Sequence, residues 1–281
     1  MILAYFAAII SGTLYGLTES INKNITEEKY SSFSYFFLQI FLNFLIFLPI
    51  FLLFGSIPRD LNVYLYVVIP VTCTFFGNLF LIKAYKTEDI SNINILSRSS
   101  LIITFLSGIF LLSETITIEK ILGVAAIVFG ILVIFYEGKR LKVSFALLLA
   151  LLSGILTGLN AYFDKKALAF FNPISFIFFA NLFLTILLFS IPQSYRDIKK
   201  IFTKYKKKII ISRFTSVLAF YLIIWAFQKG AISIANTNFE TAFLLSGVII
   251  GIIFLGEKKN IAKKLAGSAL CTLGIILLNF F

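Results

Sequence analysis

The side chains able to do chemistry in this sequence are concentrated in two apolar stretches, 90–114 and 232–257, each long enough to cross a bilayer as a helix. Each stretch carries a serine, an asparagine and a charged residue at spacings of three and four, which places them on one helix face. These residues are Ser91, Asn94 and Arg98 in the first stretch and Ser233, Asn236 and Glu240 in the second. Because a charge inside a membrane helix is costly unless it is paired or hydrated, we expect both charges to face the protein interior.

A guanidinium and a carboxylate on opposing helices can bind the two ends of a zwitterion. Arg98 would hold a carboxylate through two hydrogen bonds, and Glu240 would hold an ammonium group. From their positions in two oppositely directed helices, the charges are predicted to lie roughly 9 Å apart along the membrane normal, at about 1.5 Å per residue. The alternative is that the two charges pair directly and hold the halves of the protein together.

Other candidates for this site share a position inside an apolar segment and a side chain that can hydrogen-bond or stack on a solute. They are Asn94, Asn236, Asn160, Tyr15, Tyr221 and Trp225. Asn94 and Asn236 would orient the solute, and Asn160 is a further candidate for the cavity lining. The rings would form an apolar or cation–π wall, with ordinary packing or interface anchoring as the alternative for any one ring.

Glu240 and Glu19 are the carboxylates best placed to carry a coupling proton. A guanidinium close to Glu240 would oppose its protonation, which favours exchange or uncoupled transport. Asp164, beside Lys165 and Lys166, is interpreted as a hydrated cluster at a helix end.

Composition limits the classes of protein. Of the 281 residues, 59% are hydrophobic and 14% are charged, whereas soluble domains have about 25% charged residues. The chain is therefore predicted to be an integral membrane protein. It has no histidine, no nucleotide-binding motif and no cysteine pair at metal-ligand spacing, so we expect no metal, no cofactor and no enzymatic activity. The net charge of +12 comes from basic loops between apolar segments and predicts no nucleic-acid partner.

Ten apolar segments of about 20 residues are predicted to cross the membrane as helices. They are Ile2–Ile21, Phe33–Phe54, Val63–Lys83, Ile90–Leu112, Ile118–Tyr136, Val143–Leu168, Pro173–Ile191, Lys208–Gln228, Ile232–Leu255 and Ile261–Phe281.

A nearly constant offset relates the two halves of the chain: it is 142 residues up to the polar stripes and rises to 144 after two inserted residues in the second half. It links each residue of the polar stripe at 91–98 to its counterpart at 233–240, and the run SGTLYGL at 11–17 to SGILTGL at 153–159. Five helices separate equivalent positions, so the halves, 1–140 and 141–281, are predicted to have opposite orientations. The sequence thus predicts an all-α polytopic membrane protein with ten transmembrane helices, built as two inverted five-helix repeats around a central cavity.

A repeated motif carries a family resemblance. The run LSE at 112–114 is followed by Gly123 and Gly130, and LGE at 255–257 is followed by Gly267 and Gly274. This duplicated ending resembles that of the EamA family of the drug/metabolite transporter superfamily. The resemblance implies a transporter in the cell membrane with a cavity lined mainly by helices 1, 3, 4, 6, 8 and 9.

The sequence departs from this family at two points. Family members often have proline near the positions of Leu101 and Leu244. The family pattern does not generally require Arg98 and Glu240, which would then mark a narrower group of substrates.

The glycines of these helices are predicted to permit close helix contacts. They are Gly108, Gly123, Gly130, Gly247, Gly251, Gly267 and Gly274. Glu114 and Glu257 are each predicted to cap the N-terminus of the following helix.

The sequence therefore predicts an alternating-access transporter of a small amphipathic metabolite, an amino acid or similar zwitterion, and the resemblance implies export. A cationic or quaternary-amine solute held by Glu240 and aromatic rings is the alternative, with a channel or a membrane-embedded enzyme more remote. We expect the small-molecule substrate and the lipid bilayer to be the partners of a functional monomer.

The longest connection, Gln193–Lys207, is basic and is predicted to lie at the membrane surface. Most Lys and Arg residues lie in loops on this side, and the positive-inside rule then places the connection in the cytoplasm. The family resemblance implies the reverse, with both termini in the cytoplasm.

Overall fold

The structure is a computed structural model that describes residues 2–26, 30–84, 93, 96–135, 144–253 and 261–280. This part of the chain forms ten α-helices joined by short connections, so the predicted all-α architecture is confirmed. The helices are α1 (Ile2–Thr26), α2 (Ser32–Phe54), α3 (Leu65–Ala84), α4 (Ser99–Leu112), α5 (Ile118–Phe135), α6 (Phe145–Ala167), α7 (Pro173–Phe189), α8 (Ile198–Lys229), α9 (Ile232–Ile253) and α10 (Ile261–Phe280). Short 3-10 helices at Leu61–Tyr64 and Pro192–Ser194 precede α3 and α8.

The described helices have the length and surface of membrane spans. By length and composition, the stretches able to cross a bilayer are Ser32–Phe54, Leu61–Ala84, Phe145–Ala167, Ile198–Lys229 and Ile261–Asn279. Large apolar side chains point outward, such as Phe110 at 75% exposure and Phe214 at 62%. Lipid offers no hydrogen-bond partners to backbone groups, so a membrane-spanning segment must pair them internally, as a helix does. An apolar exterior is compatible with contact to lipid. The chain is a multi-pass membrane protein.

The helix contacts follow a two-fold relation between the first five and the last five helices. α1 packs on α9, and its equivalent α6 packs on α4, the equivalent of α9. In the same way, α3 packs on α6, and its equivalent α8 packs on α1. The other equivalent helices pack on each other, namely α2 on α7, α4 on α9 and α5 on α10. This pattern is that of a two-repeat architecture. The boundary predicted at 140/141 lies in segment 136–143, outside the described residues.

Glycines bring α5 and α10 into close contact. A Cβ atom on Gly130 would lie 2.6 Å from the carbonyl oxygen of Gly267, and one on Gly274 would lie 2.6 Å from that of Gly123. Gly123 thus faces Gly274 while Gly130 faces Gly267, so the two helices run antiparallel, as the equivalent helices of inverted repeats do. The predicted role of these four glycines in close packing is confirmed.

Equivalent glycines also pack α1 on α9 and α6 on α4. A Cβ on Gly16 would lie 3.1 Å from the carbonyl oxygen of Phe243 in α9, and one on its equivalent Gly158 would lie 2.9 Å from that of Ser100 in α4. The prediction is wrong for Gly247, because no atom lies within 4 Å of the position that its Cβ would take.

Two helices begin far from their predicted starts, whereas the others begin within two residues of them. The predicted helix from Ile90 is interrupted at Arg98, which lies in a turn, and α4 begins at Ser99. α8 begins at Ile198, ten residues before the predicted Lys208, and bends at Tyr205 (φ −116°, ψ 18°). Much of the predicted basic loop is therefore helical.

Candidate functional site

The two predicted charges contact each other directly. Nη1 of Arg98, just before α4, donates a hydrogen bond to Oε2 of Glu240 in α9. Their side chains are only 17% and 10% exposed, and the guanidinium carbon of Arg98 lies 5.3 Å from the ring centroid of Phe243. The predicted separation of roughly 9 Å at about 1.5 Å per residue is wrong for this conformation. Two long side chains reach across the gap, because a buried charge is far less costly when it is paired.

This ion pair joins the first repeat to the second. Arg98 belongs to the first five-helix half and Glu240 to the other, and α4 and α9 pack on each other. Removal of either partner would leave an uncompensated charge in an apolar region. The contact matches the alternative considered for these charges, direct pairing, and their predicted role in binding a substrate stays a prediction.

The asparagine of the second stripe is engaged in a helix contact. Nδ2 of Asn236 donates to Oγ1 of Thr104 in α4 at 3.2 Å, and that hydroxyl lies 3.3 Å from the carbonyl oxygen of Gly158 in α6. The buried amide of Asn236 therefore links α9 to α4. Ser91 and Asn94 of the first stripe lie outside the described residues.

Glu114 also connects the two repeats. The carboxylate accepts hydrogen bonds from the backbone N–H groups of Ile232 (2.7 Å) and Ser233 (3.2 Å), the first residues of α9. Ser113 (φ 54°) ends α4 in a left-handed conformation, immediately before Glu114. The prediction that Glu114 caps the following helix is wrong, since it caps a helix of the other repeat. Glu257 lies outside the described residues.

A cavity of about 170 Å³ lies between α1, α2, α3, α6, α7 and α8. Three of these helices belong to each repeat. The family resemblance implied α4 and α9 as lining helices, but in this conformation α2 and α7 contribute lining residues and the described parts of α4 and α9 do not. The volume is below the roughly 300 Å³ at the lower end of drug-sized sites, so the cavity suits a small metabolite.

The polar residues that line this cavity come from five helices. They are Tyr15, Asn43, Thr74, Asn160, Asp164 and Asn181.

Asp164 is the charged member of this set. It is 5% exposed, and its Oδ2 accepts a hydrogen bond from Nδ2 of Asn160 at 3.0 Å. Oδ1 of Asn160 in turn lies 3.2 Å from the hydroxyl of Thr74, which donates to it. Within the described part of the chain, no Lys or Arg forms an ion pair with Asp164.

The interpretation of Asp164 as a hydrated helix-end cluster is wrong. α6 continues to Ala167, and Asp164 lies on its buried face. Lys165 points elsewhere, and its Nζ donates hydrogen bonds to the carbonyl oxygens of Phe227 and Gly230, the latter at 2.8 Å. Lys165 therefore binds the C-terminal end of α8, where a cation is favoured.

Two further carboxamides line the cavity from α2 and α7. Nδ2 of Asn181 donates to the carbonyl oxygen of Ile177 at 2.8 Å. Oδ1 of Asn43 is buried and has no hydrogen-bond donor among the described residues. A buried acceptor without a partner costs about 1–3 kcal/mol, which a donor on a bound solute would offset.

The predicted aromatic residues divide into two groups. Tyr15 lines the cavity and makes an edge contact with Phe239, with ring centroids 5.4 Å apart. Tyr221 and Trp225 pack against the main apolar core instead, and Phe220 is the ring of α8 that lines the cavity. The side chain of Glu19 lies outside the described residues.

Asp164, Asn43 and Asn181 were not among the predicted binding residues, although sequence signals for them were present, and the predicted Asn160 provides one of these signals. Asn160 and Asp164 are four residues apart and so share a helix face. Asp164 also matches Asn22 at the 142-residue offset, and Asn22 is only 1% exposed. Asn43 and Asn181 are isolated amides within long apolar helices, where a polar group needs a partner.

Comparison with known proteins gives the family. The sequence model of the EamA-like transporter family matches residues 2–136 and, a second time, residues 144–280. No curated protein matches the chain significantly. A solved structure described only as the crystal structure of a protein has a TM-score of 0.79 at 12% identity, covering 99% of this chain and 98% of that one, which shows a shared fold. Because the two family matches span almost the whole chain, the protein belongs to the EamA-like transporter family.

Proposed function

We propose that the protein is a secondary transporter of a small solute with a protonated amine, which binds in the cavity beside Asp164. The family to which the chain belongs consists of transporters of the drug/metabolite type. The observation that carries the proposal is the buried Asp164 carboxylate, the one charged side chain lining the cavity, with no basic partner among the described residues. A carboxylate in such a place needs a counter-charge, which an ammonium group supplies.

The remaining lining groups suit an amine. Asn160 holds the carboxylate of Asp164 in position, and the free acceptor of Asn43 offers a second partner for an N–H group. Tyr15 and Phe220 supply ring faces, which attract a cation through their quadrupoles. An alkylated or quaternary amine would depend more on the rings and less on Asn43.

The position of the cavity supports alternating access. Its walls come from α1–α3 of one repeat and α6–α8 of the other. Movement of one repeat against the other would open such a cavity to each side of the membrane in turn. We propose the cell membrane as the location, export as the direction, and exchange or uncoupled flux as the mode. A flux that depends steeply on an imposed pH gradient would contradict this mode.

An amino acid is the second candidate, favoured by one observation. Phe243 lies between the cavity wall and the ion pair, with its ring centroid 6.5 Å from that of Tyr15 and 5.3 Å from the guanidinium carbon of Arg98. Only the ring of Phe243 therefore separates Arg98 from Tyr15, which lines the cavity. If the Arg98–Glu240 pair opens during transport, Arg98 would bind the carboxylate of a zwitterion whose amine lies at Asp164.

The test is ligand-dependent thermal unfolding of the purified, folded protein with separate panels of amines, amino acids and carboxylic acids. A ligand at 100 times its Kd stabilises the folded state by about 2.7 kcal/mol. We expect amines to stabilise the wild type and Asp60→Asn, a change at an exposed loop carboxylate. Asp164→Asn should weaken amine binding by at least about tenfold, or about 1.4 kcal/mol. Unchanged amine binding in Asp164→Asn would overturn the proposal.

The panels also separate the two candidates. Arg98→Gln combined with Glu240→Gln removes both charges of the ion pair together. If the substrate is an amine, binding survives this double change, whereas an amino acid that uses Arg98 loses affinity. Stabilisation by carboxylic acids alone would contradict both candidates.

A further inference from the structure

We propose that the start of α8 and the residues before α2 form a binding site for the phosphate headgroup of an anionic phospholipid. The site is an open groove of about 510 Å³ at one end of the helix bundle, here called the headgroup groove. Its lining residues are Tyr30, Ser31, Arg196, Asp197 and Lys200. None of these residues lines the transport cavity, so the proposal is independent of the proposed substrate.

Hydrogen bonds fix the backbone of the groove. The hydroxyl of Ser34 in α2 donates to the carbonyl oxygen of Gln193 at 2.6 Å, and the N–H of Asp197 donates back to that hydroxyl at 3.3 Å. The N–H of Ser31 donates to Oδ2 of Asp197 at 3.2 Å. The connection between α7 and α8 is thus attached to the N-terminal end of α2, and Arg196 and Lys200 are held on a defined surface.

The first turns of α8 form an amphipathic segment. Ile198, Ile201 and Phe202 pack with Tyr35 and Leu38 of α2 in one buried cluster. Lys199, Lys200 and Lys204 lie on the exposed face of the same segment. The bend at Tyr205 separates this segment from the remainder of α8. A short basic amphipathic helix of this kind is typical of the membrane interface.

The exposed surface of α8 changes from basic to apolar just beyond Lys208. Lys206, Lys207 and Lys208 are exposed, and the next exposed side chains of α8 are Ile210 (41%) and Ile211 (57%). A lipid-facing helix surface becomes apolar where the hydrocarbon core begins, so these lysines lie at headgroup level.

The charge of the segment matches an anionic surface. Residues 193–208 contain seven basic residues and one acidic residue, Asp197. Asp197 is already engaged by the N–H of Ser31, and its Oδ1 lies 4.0 Å from Nζ of Lys200. The guanidinium of Arg196 and the ammonium of Lys200 can bind two oxygens of one phosphate, while α2 begins at Ser32 and adds the positive end of its dipole.

The apolar surroundings favour a lipid over free phosphate. Phe189 at the end of α7 is 65% exposed, and its ring lies 5.7 Å from that of Tyr195, which is 48% exposed. Tyr195 directly precedes Arg196. An exposed aromatic pair beside two basic groups provides a surface for the glycerol and upper acyl chain of a phospholipid, which a soluble phosphate would not use.

The experiment measures binding of short-chain phosphatidylglycerol, with phosphatidylcholine of the same chain length for comparison, to the full-length protein in a neutral detergent. Binding is followed by thermal unfolding at fixed ionic strength. We expect phosphatidylglycerol to raise the Tm of the wild type and phosphatidylcholine to leave it unchanged. The double variant Arg196→Gln, Lys200→Gln should bind phosphatidylglycerol roughly 30-fold more weakly, since each basic residue near an anionic surface contributes a factor of about five.

Two controls keep the result interpretable. The variant Arg59→Gln, Lys229→Gln removes two exposed basic residues elsewhere and should bind like the wild type. The ratio of phosphatidylglycerol to phosphatidylcholine affinity is compared within each variant, so a loss of overall stability does not imitate a loss of the site. Equal binding of both lipids, or unchanged binding in the Arg196/Lys200 variant, would overturn the proposal. Equal stabilisation by inorganic phosphate would show a free-phosphate site and would overturn the lipid assignment.

Discussion

The Arg98–Glu240 pair and the Asp164 cavity each place a buried carboxylate inside the helix bundle, but their surroundings differ. Glu240 contacts a guanidinium, and the charges lie where α4 packs on α9. Asp164 has an amide neighbour, an adjoining cavity and no basic partner among the described residues. A paired charge has its counter-charge within the protein and stabilises a helix contact, whereas a lone carboxylate beside a cavity is available to a ligand.

The helices also pack differently around the ion pair and around Asp164. On the side of α4, α9, α5 and α10, glycines at 123, 130, 267 and 274 let backbones approach closely. A space of about 190 Å³ beside Arg98, between α4 and α5, is lined mainly by apolar side chains, whereas the cavity between α2, α3, α7 and α8 carries the polar groups around Asp164. We therefore expect substitutions in the first region to affect stability and substitutions in the second to affect ligand binding.

The largest effect on stability is expected from Arg98→Met. Loss of the guanidinium leaves Glu240 buried without a partner and should cost about 3–5 kcal/mol of unfolding free energy. The double change Arg98→Met, Glu240→Leu should recover most of this loss, because two apolar side chains replace the pair. Equilibrium unfolding in mixed micelles measures both, with Arg59→Met, at an exposed arginine, as the control. A cost of less than about 1 kcal/mol, typical of a surface pair, would mean that the ion pair does not hold the repeats together.

A smaller loss is expected from Gly130→Ala. Its Cβ would lie 2.6 Å from the carbonyl oxygen of Gly267, so α5 and α10 must separate, and overpacking of this kind costs about 1–3 kcal/mol. Gly247→Ala is the matched control, since no atom lies within 4 Å of its Cβ position. The control should be neutral or stabilising by up to about 1 kcal/mol, the helix preference of alanine over glycine. Equal effects of the two changes on Tm would contradict the close contact of α5 and α10.

The smallest loss is expected from Glu114→Gln. The amide keeps one acceptor for the N–H groups of Ile232 and Ser233 but loses the negative charge at the N-terminus of α9. Weakening of a helix cap typically costs about 0.5–2 kcal/mol. Thermal unfolding compared with Glu119→Gln, a change at a glutamate in the first turn of α5, isolates the cap. A larger loss of thermal stability in Glu119→Gln than in Glu114→Gln would mean that the start of α5 depends more on a carboxylate than the start of α9 does, which would contradict the proposed cap.

Much of the fold could be predicted because it follows from local patterns. The helices follow from apolar segments of membrane-spanning length, and the repeats follow from a nearly constant sequence offset. The start of α8 was missed because the lysines at 199, 200 and 204 resemble a loop, and only the contacts of Ile198 and Ile201 with α2 explain a helix there.

The site was less predictable, because it depends on contacts between distant segments. The two polar stripes correctly indicated that the side chains of Arg98 and Glu240 face inward. They did not indicate whether these two side chains would touch. Asp164 was taken for an interfacial residue because two lysines follow it. Only the packing of α6 on α3 and the position of Lys165 at the end of α8 place Asp164 against the cavity.

The most direct test of this account measures amine flux into proteoliposomes for two variants side by side. One is Asp164→Asn, and the other is Arg98→Leu combined with Glu240→Leu, each reconstituted at equal amounts of folded protein. We predict that Asp164→Asn loses at least about tenfold in flux at low amine concentration, a change of about 1.4 kcal/mol, while the Arg98/Glu240 variant retains it. The reverse result, with flux preserved in Asp164→Asn and lost in the Arg98/Glu240 variant, would contradict the account and place the substrate at the ion pair.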